Sequence, residues 1–115
     1  MAYTFQSRAT SDLIMLDSVG KTLLQLLDKT PGEPGVLTVA QIPAALQTLE
    51  AAVRADDAKR RAIQEDSQQP DADANARAAK ESAELGAVTL HQRVAPFADM
   101  LRRSAAEGKD VTWHL

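Results

Sequence analysis

The sequence predicts an α+β domain: a small sheet of about three strands packed against three or four helices. Three observations lead to this. Short alternating segments stand near both ends, "AYTFQS" at 2–7 and "DVTWHL" at 110–115, and alternation marks a half-buried strand. Between them, apolar residues recur at helical spacing. Hydrophobic residues make up 44% of the chain but aromatics only 3%, so much of the apolar count is alanine, which favours helix. Strands at both ends with helices between them point to one sheet with one face covered and its terminal strands adjacent.

The elements follow in chain order. In 2–7, Tyr3 and Phe5 share one face and Thr4 and Gln6 the other. "RATSD" is a turn, and the apolar, partly β-branched "LIML" at 13–16 is a second strand completing a hairpin. Asp17 or Ser18 can cap the next helix. Its stripe is Val19, Leu23, Leu26 and Leu27, and it ends near Lys29, before the rigid "TPGEPG". Thr38 with Gln41 has capping-box spacing. Pro43 then favours a short turn at 38–42 followed by a main helix. That helix buries Ile42, Leu46, Leu49 and Val53, and continues as a solvated projection to about Glu65, either a hairpin arm with the 75–85 helix or a docking surface for a partner or a second copy.

The polar, acidic stretch at about 66–75 reads as a loop, with helix resuming near Asn75 and interrupted around Gly86. Thr89 and Gln92 repeat the capping-box spacing. Leu90, Val94, Phe97, Leu101 and Ala105 form the last helical stripe. Pro96 lies off that stripe, which predicts a kinked helix rather than a broken one. Gly108 stops it. Val111, Trp113 and Leu115 then share one face of the final strand. The expected core is Tyr3, Phe5, Leu46, Leu49, Val94, Phe97, Leu101 and Trp113.

A chain of 115 residues fits a single domain, 1–115, and is long enough to bury a core without metals or disulfides. The net charge of -3 and pI near 5.3 argue against bulk attraction to nucleic acid or anionic membranes. With no cysteine, disulfides and thiolate metal sites are excluded, and a reducing compartment is compatible. "MAYTFQSRA" lacks the basic start and apolar stretch of a secretory signal. No apolar run approaches the roughly 20 residues that span a bilayer. A cytoplasmic location is expected.

Four motifs resemble chemistry. "DSVGKT" at 17–22 follows an apolar strand and precedes a helix, as a P-loop does. A P-loop also needs a glycine five residues before Gly20, to start the loop of backbone N–H groups round the phosphates. Met15 stands there, and Asp17 adds negative charge. The motif therefore reads as a helix N-terminus with a solvated lysine. "DADAN" supplies Asp71, Asp73 and Asn75 at calcium-loop spacing, but Ala76 and Ser82 replace the required Gly and Glu. An acidic linker is the better reading.

His91 and His114 are the only histidines and have no metal-ligand spacing. No G-x-S-x-G nucleophile motif is present. The basic runs "KRR" at 59–61 and "RR" at 102–103 have acidic neighbours at i,i+4: Asp56–Arg60, Asp57–Arg61 and Asp99–Arg103, with Arg77–Glu81 and Lys80–Glu84 further on. Each such pair adds roughly 0.2–0.5 kcal/mol to a helix, and together they neutralise a field that would attract phosphates. No aromatics interleave with them to stack on bases.

"YTFQSRATSDLIML", "GVLTVAQIPAALQTLEAAV" and "VTLHQRVAPFADMLRRSAAEGKDVTWHL" together resemble the small proteobacterial proteins grouped as domain of unknown function 1840. "HQR", Pro96, "MLRR" and "DVTW" fall in that family's order and carry most of the resemblance. It implies a bacterial cytoplasmic protein and supplies no catalytic residue. The expectation is therefore a non-enzymatic interaction or accessory domain, working through its helical layer with a protein partner or a second copy. The alternative is a small-ligand domain or minor enzyme with an anion site near His91 and Arg102, Asp99 contributing. His91 and Arg102 are eleven residues apart and share a helix face, whereas Arg93 and Arg102, nine apart, do not. No cofactor is expected.

Overall fold

The computed structural model describes residues 2–67, 72–86 and 88–115. Strand β1 (Ala2–Ser7) and strand β2 (Leu13–Leu16) form the expected antiparallel hairpin, with Tyr3 opposite Met15 and Phe5 opposite Leu13. Helix α1 (Asp17–Leu26) follows with no intervening residue. Neither Asp17 nor Ser18 caps it. The cap position is Leu16, without a side-chain bond, because the strand runs straight into the helix. The helix also stops earlier than Lys29. Asp28 adopts a left-handed φ of 59°, and the Lys29 N–H folds back onto the Leu24 carbonyl at 2.9 Å, a closing turn of the Schellman kind. Its buried stripe includes Leu24, which is fully buried beside Leu23. Leu26 and Leu27 are only half-buried.

The sheet has four strands, not three. Strand β3 (Gly35–Leu37) is too short to show alternation and hides behind "TPGEP". A 3-10 turn (Val39–Gln41) comes next, and its Thr38 N–H donates to Gln41 Oε1 at 3.0 Å, as the capping-box spacing predicts. Helices α2 (Ile42–Ser67), α3 (Ala72–Leu85) and α4 (Leu90–Glu107) lead to strand β4 (Val111–His114). Helix α4 carries the Thr89/Gln92 capping box, runs through Pro96 and ends at left-handed Gly108, φ 68°. The strand order is β2-β1-β4-β3, each pair antiparallel. The two terminal strands are therefore neighbours, and Phe5 sits opposite Trp113.

One sheet face meets the helices. The ring of Phe5 lies 4.9 Å from Phe97, 5.9 Å from Trp113 and 6.2 Å from Tyr3, centroid to centroid. Leu23, Leu24, Ile42, Leu49 and Leu101 close round these rings with no exposure. Each such side chain contributes about 1.5–3 kcal/mol on burial. Val94 is also buried, Leu46 is half-buried against the cluster, and Leu115 is exposed rather than facing inward with Trp113. The buried Ser104 hydroxyl hydrogen-bonds Ser7 at 2.7 Å, tying α4 to β1. The opposite face presents Thr4, Ile14 and Leu16 on the hairpin, and Val36, Thr112 and His114 on the other two strands.

Past Val53, α2 does not run alone into solvent. It packs along α3, burying Ile63, Ala74 and Ala78 in a set separate from the main core. This antiparallel arm lengthens the molecule to 53 × 28 × 22 Å. The expected acidic loop is shorter than 66–75, since α2 reaches Ser67 and α3 begins at Ala72. Asp73 and Asn75 are therefore helical. Asp71, the first position of the calcium-like pattern, lies outside the described residues.

Candidate partner groove and the joint of the arm

The "GKT" segment serves packing. Gly20 lies inside α1 and is buried, and a Cβ there would stand 2.4 Å from Tyr3 Cδ2. The glycine exists so that α1 can lie against the Tyr3 ring. Thr22 donates its hydroxyl to the Ser18 carbonyl at 2.9 Å, within its own helix, and Lys21 is exposed. No loop separates β2 from α1 to form a phosphate cradle.

Two residues seen in the sequence as one i,i+4 pair form the joint between arm and body. Arg60 Nε donates to Asp56 Oδ2 at 2.9 Å. Its other guanidinium nitrogens donate to the carbonyls of Gly86 at 2.8 Å, Leu85 at 3.2 Å and Val88 at 3.3 Å. Asp56 Oδ2 also accepts the Leu90 N–H at 3.1 Å. Arg60 thus satisfies the open carbonyl end of α3, and Asp56 the open N–H end of α4, the groups every helix leaves unpaired. Burial pushes the Asp56 pKa up. The Arg60 hydrogen bond, the Leu90 N–H and the charges of Arg60 and Lys59 outweigh it and hold the carboxyl below its ordinary value.

Of the other expected pairs, Asp99–Arg103 closes at 3.1 Å. Asp57–Arg61, Arg77–Glu81 and Lys80–Glu84 do not close among the described residues. Exposed pairs gain little in water against the entropy of ordering two long side chains.

Helices α2 and α4 leave a groove of about 260 Å³ between them. Its floor is aliphatic, from Leu49, Val53, Val94 and Ala98. Its rim carries Glu50 and Arg54 from α2, and His91 and Arg102 from α4. Arg102 Nη2 lies 3.6 Å from Glu50 Oε1, with both side chains more than half exposed, so this contact holds the arginine only loosely. The structure brings His91 and Arg102 into one groove. Asp99 lies elsewhere on α4, on a polar depression with Arg103 and the 10–13 turn. Glu50 and Arg54 escaped the sequence reading. Their signal is an i,i+4 charge pair flanking the Leu49/Val53 stripe.

Two larger depressions lack this combination. One, about 460 Å³ at the end of the sheet, is lined by polar residues such as Gln6, Arg8 and Lys109. The other, about 440 Å³ beside the end of α1, has Leu26, Leu27 and Leu37 in its lining but a single cation, Lys29, next to Asp28. His91 on α4 and His114 on the open sheet face belong to different layers. Among the described residues no three His, Asp or Glu gather to hold a metal ion, and no helix is long and apolar enough to cross a membrane.

These features define a two-layer α+β protein with a clamped helical arm and a cation-rimmed groove. The family model described as domain of unknown function, DUF1840, matches residues 1–113, and the chain belongs to that family. No curated protein matched the chain, and no solved structure did.

Proposed function

We propose that this chain is a small bacterial cytoplasmic interaction or accessory protein that holds an acidic, amphipathic segment of a protein partner in the α2–α4 groove. The observation that carries this reading is the pairing of an aliphatic floor with Arg54, His91 and Arg102 against a single Glu50. Aliphatic side chains of the partner fill the floor, and its carboxylates meet the arginines. Such rim charges mainly govern association rate and selection. A small organic anion is the other occupant the two arginines suit. However, about 260 Å³ falls below the roughly 300–1,000 Å³ of ligand pockets, which favours short side-chain anchors.

The test is affinity capture from the native host at physiological salt, with nuclease, comparing wild type with Arg54→Glu/Arg102→Glu. The expected result is a stoichiometric partner that the variant no longer retains and that elutes with salt. Equal capture by both proteins, or none by wild type, defeats the reading.

A further inference from the structure

We propose, building on the α2–α4 groove as a partner's site, that the segment it takes is a short helix lying antiparallel to α4, with its acidic C-terminal turn at Arg54 and His91. Two observations carry this. The first is the chemistry of the floor. Leu49, Val53, Val94 and Ala98 offer no polar side-chain atom, and the backbone behind them is helical, its N–H and C=O groups spent within α2 and α4. An extended peptide laid there would lose water from its own N–H and C=O groups and find no partner for them. A helix satisfies those groups itself and sets side chains at i, i+3, i+4 and i+7 into such a groove. From His91 to Arg102 the α4 wall runs about 16 Å at 1.5 Å per residue, a length that three helical turns fill.

The second is the order of charge along the rim. Helices α2 and α4 run antiparallel, with Asp56 accepting the Leu90 N–H at 3.1 Å and Glu50 lying 3.6 Å from Arg102. Arg54, next but one to Asp56, therefore stands at the His91 end. Among the described residues it forms no ion pair, and the Asp56 carboxylate is held by Arg60 and Leu90. At the other end Glu50 offsets Arg102. A helix has open carbonyls and partial negative charge at its C-terminus, and open N–H groups and partial positive charge at its N-terminus. The carbonyl end fits Arg54 and the ring N–H of His91, just as the end of α3 fits the Arg60 guanidinium. Carboxylates in that last turn add to the match, and the N–H end fits Glu50. The reverse direction would set open carbonyls against Glu50 and open N–H groups against Arg54.

The test uses two capped peptides of about fourteen residues, a length barely helical alone in water. Both are built on alanine and glutamine with leucine at i, i+3, i+4 and i+7. One carries its glutamates in the last turn, the other in the first. The last-turn peptide is expected to bind the full chain at least about fivefold more tightly and to gain helical ellipticity on binding. With a nitroxide at its C-terminus, it is expected to broaden the amide resonances of residues 90–94 rather than 101–104. Arg54→Gln, an exposed change, is expected to bring the two affinities together. Binding by neither peptide, an equal or reversed preference, a preference that survives Arg54→Gln, no gain of helix, or broadening at the Arg102 end overturns the proposal. Release of the host partner by Arg54→Glu/Arg102→Glu does not depend on helix direction, so a failure here leaves the groove as a partner site to be judged by that capture.

Discussion

Gly20 and Gly35 each face an aromatic ring at a distance no side chain tolerates. At Gly20 the helix itself prefers alanine, by about 1 kcal/mol. Against that, the added Cβ would lie 2.4 Å from Tyr3 Cδ2. Tyr3 has little room to retreat: it is buried, and its hydroxyl accepts the Gly32 N–H at 2.8 Å. Overpacking of this kind costs about 1–3 kcal/mol, so Gly20→Ala should lower stability despite its better helix propensity. A denaturant midpoint equal to wild type would show that the ring moves freely. Trp113 is the counterpart at Gly35, where a Cβ would stand 2.4 Å from its Cζ2. Trp113→Ala should cost roughly 3–5 kcal/mol. Among the described residues the buried indole Nε1–H has no hydrogen-bond partner, a condition that itself costs about 1–3 kcal/mol. Trp113→Phe removes that group while keeping a ring, so its loss in urea unfolding should be clearly the smaller of the two. Equal losses would mean that a smaller ring cannot take the place of the indole there.

At the scale of elements, the Asp56–Arg60 clamp decides how the arm leaves the body. Its hydrogen bonds involve charged groups that are mostly buried, and such bonds contribute about 1.5–3 kcal/mol each at most. The depressed Asp56 pKa sets the sign of the pH dependence. A carboxylate with a lowered folded pKa adds stability that is complete above its ordinary value and lost as pH falls through the lowered one. Asp56→Asn should therefore be less stable than wild type at neutral pH, and the gap should shrink below about pH 4. The Leu90 amide resonance should titrate with Asp56 in wild type and stay still in the variant. A stability gap that is the same at both pH values would show that the charge of Asp56 is not what holds the joint.

For the whole molecule, the arm and the sheet-centred core hold separate buried sets. Ile63, Ala74 and Ala78 belong to the arm and take no part in the main cluster. Arg60 reaches Leu85 and Gly86, so the chain before residue 62 already lies beside the chain after residue 81. Replacing 62–81 by a short glycine-rich turn should leave the core folded, with helical ellipticity reduced and Trp113 fluorescence unchanged. A shift of Trp113 emission to that of unfolded protein would show that the arm supports the core.

Much of this architecture was legible because it is written in local spacing. Tyr3 and Phe5 at i,i+2, Val94 through Leu101 at helical intervals, the Thr38/Gln41 and Thr89/Gln92 boxes, and Gly108 as a stop all depend on neighbours within a turn or two. The sequence by itself thereby determined the hairpin, the final helix and strand, and which faces are buried. It also placed His91 and Arg102 on one face of one helix. The tertiary structure alone decided what joins at a distance. It supplied β3, whose three residues become a strand only because β4 lies beside them, and it assigned Gly20 to Tyr3. It turned an ordinary i,i+4 pair into a clamp by delivering the ends of α3 and α4 to Arg60 and Asp56. It set Arg54 and Glu50 across from His91 and Arg102 while leaving Asp99 with Arg103. Local patterns settle which side of an element is apolar; only packing fixes which polar groups from separate elements fall within hydrogen-bonding range.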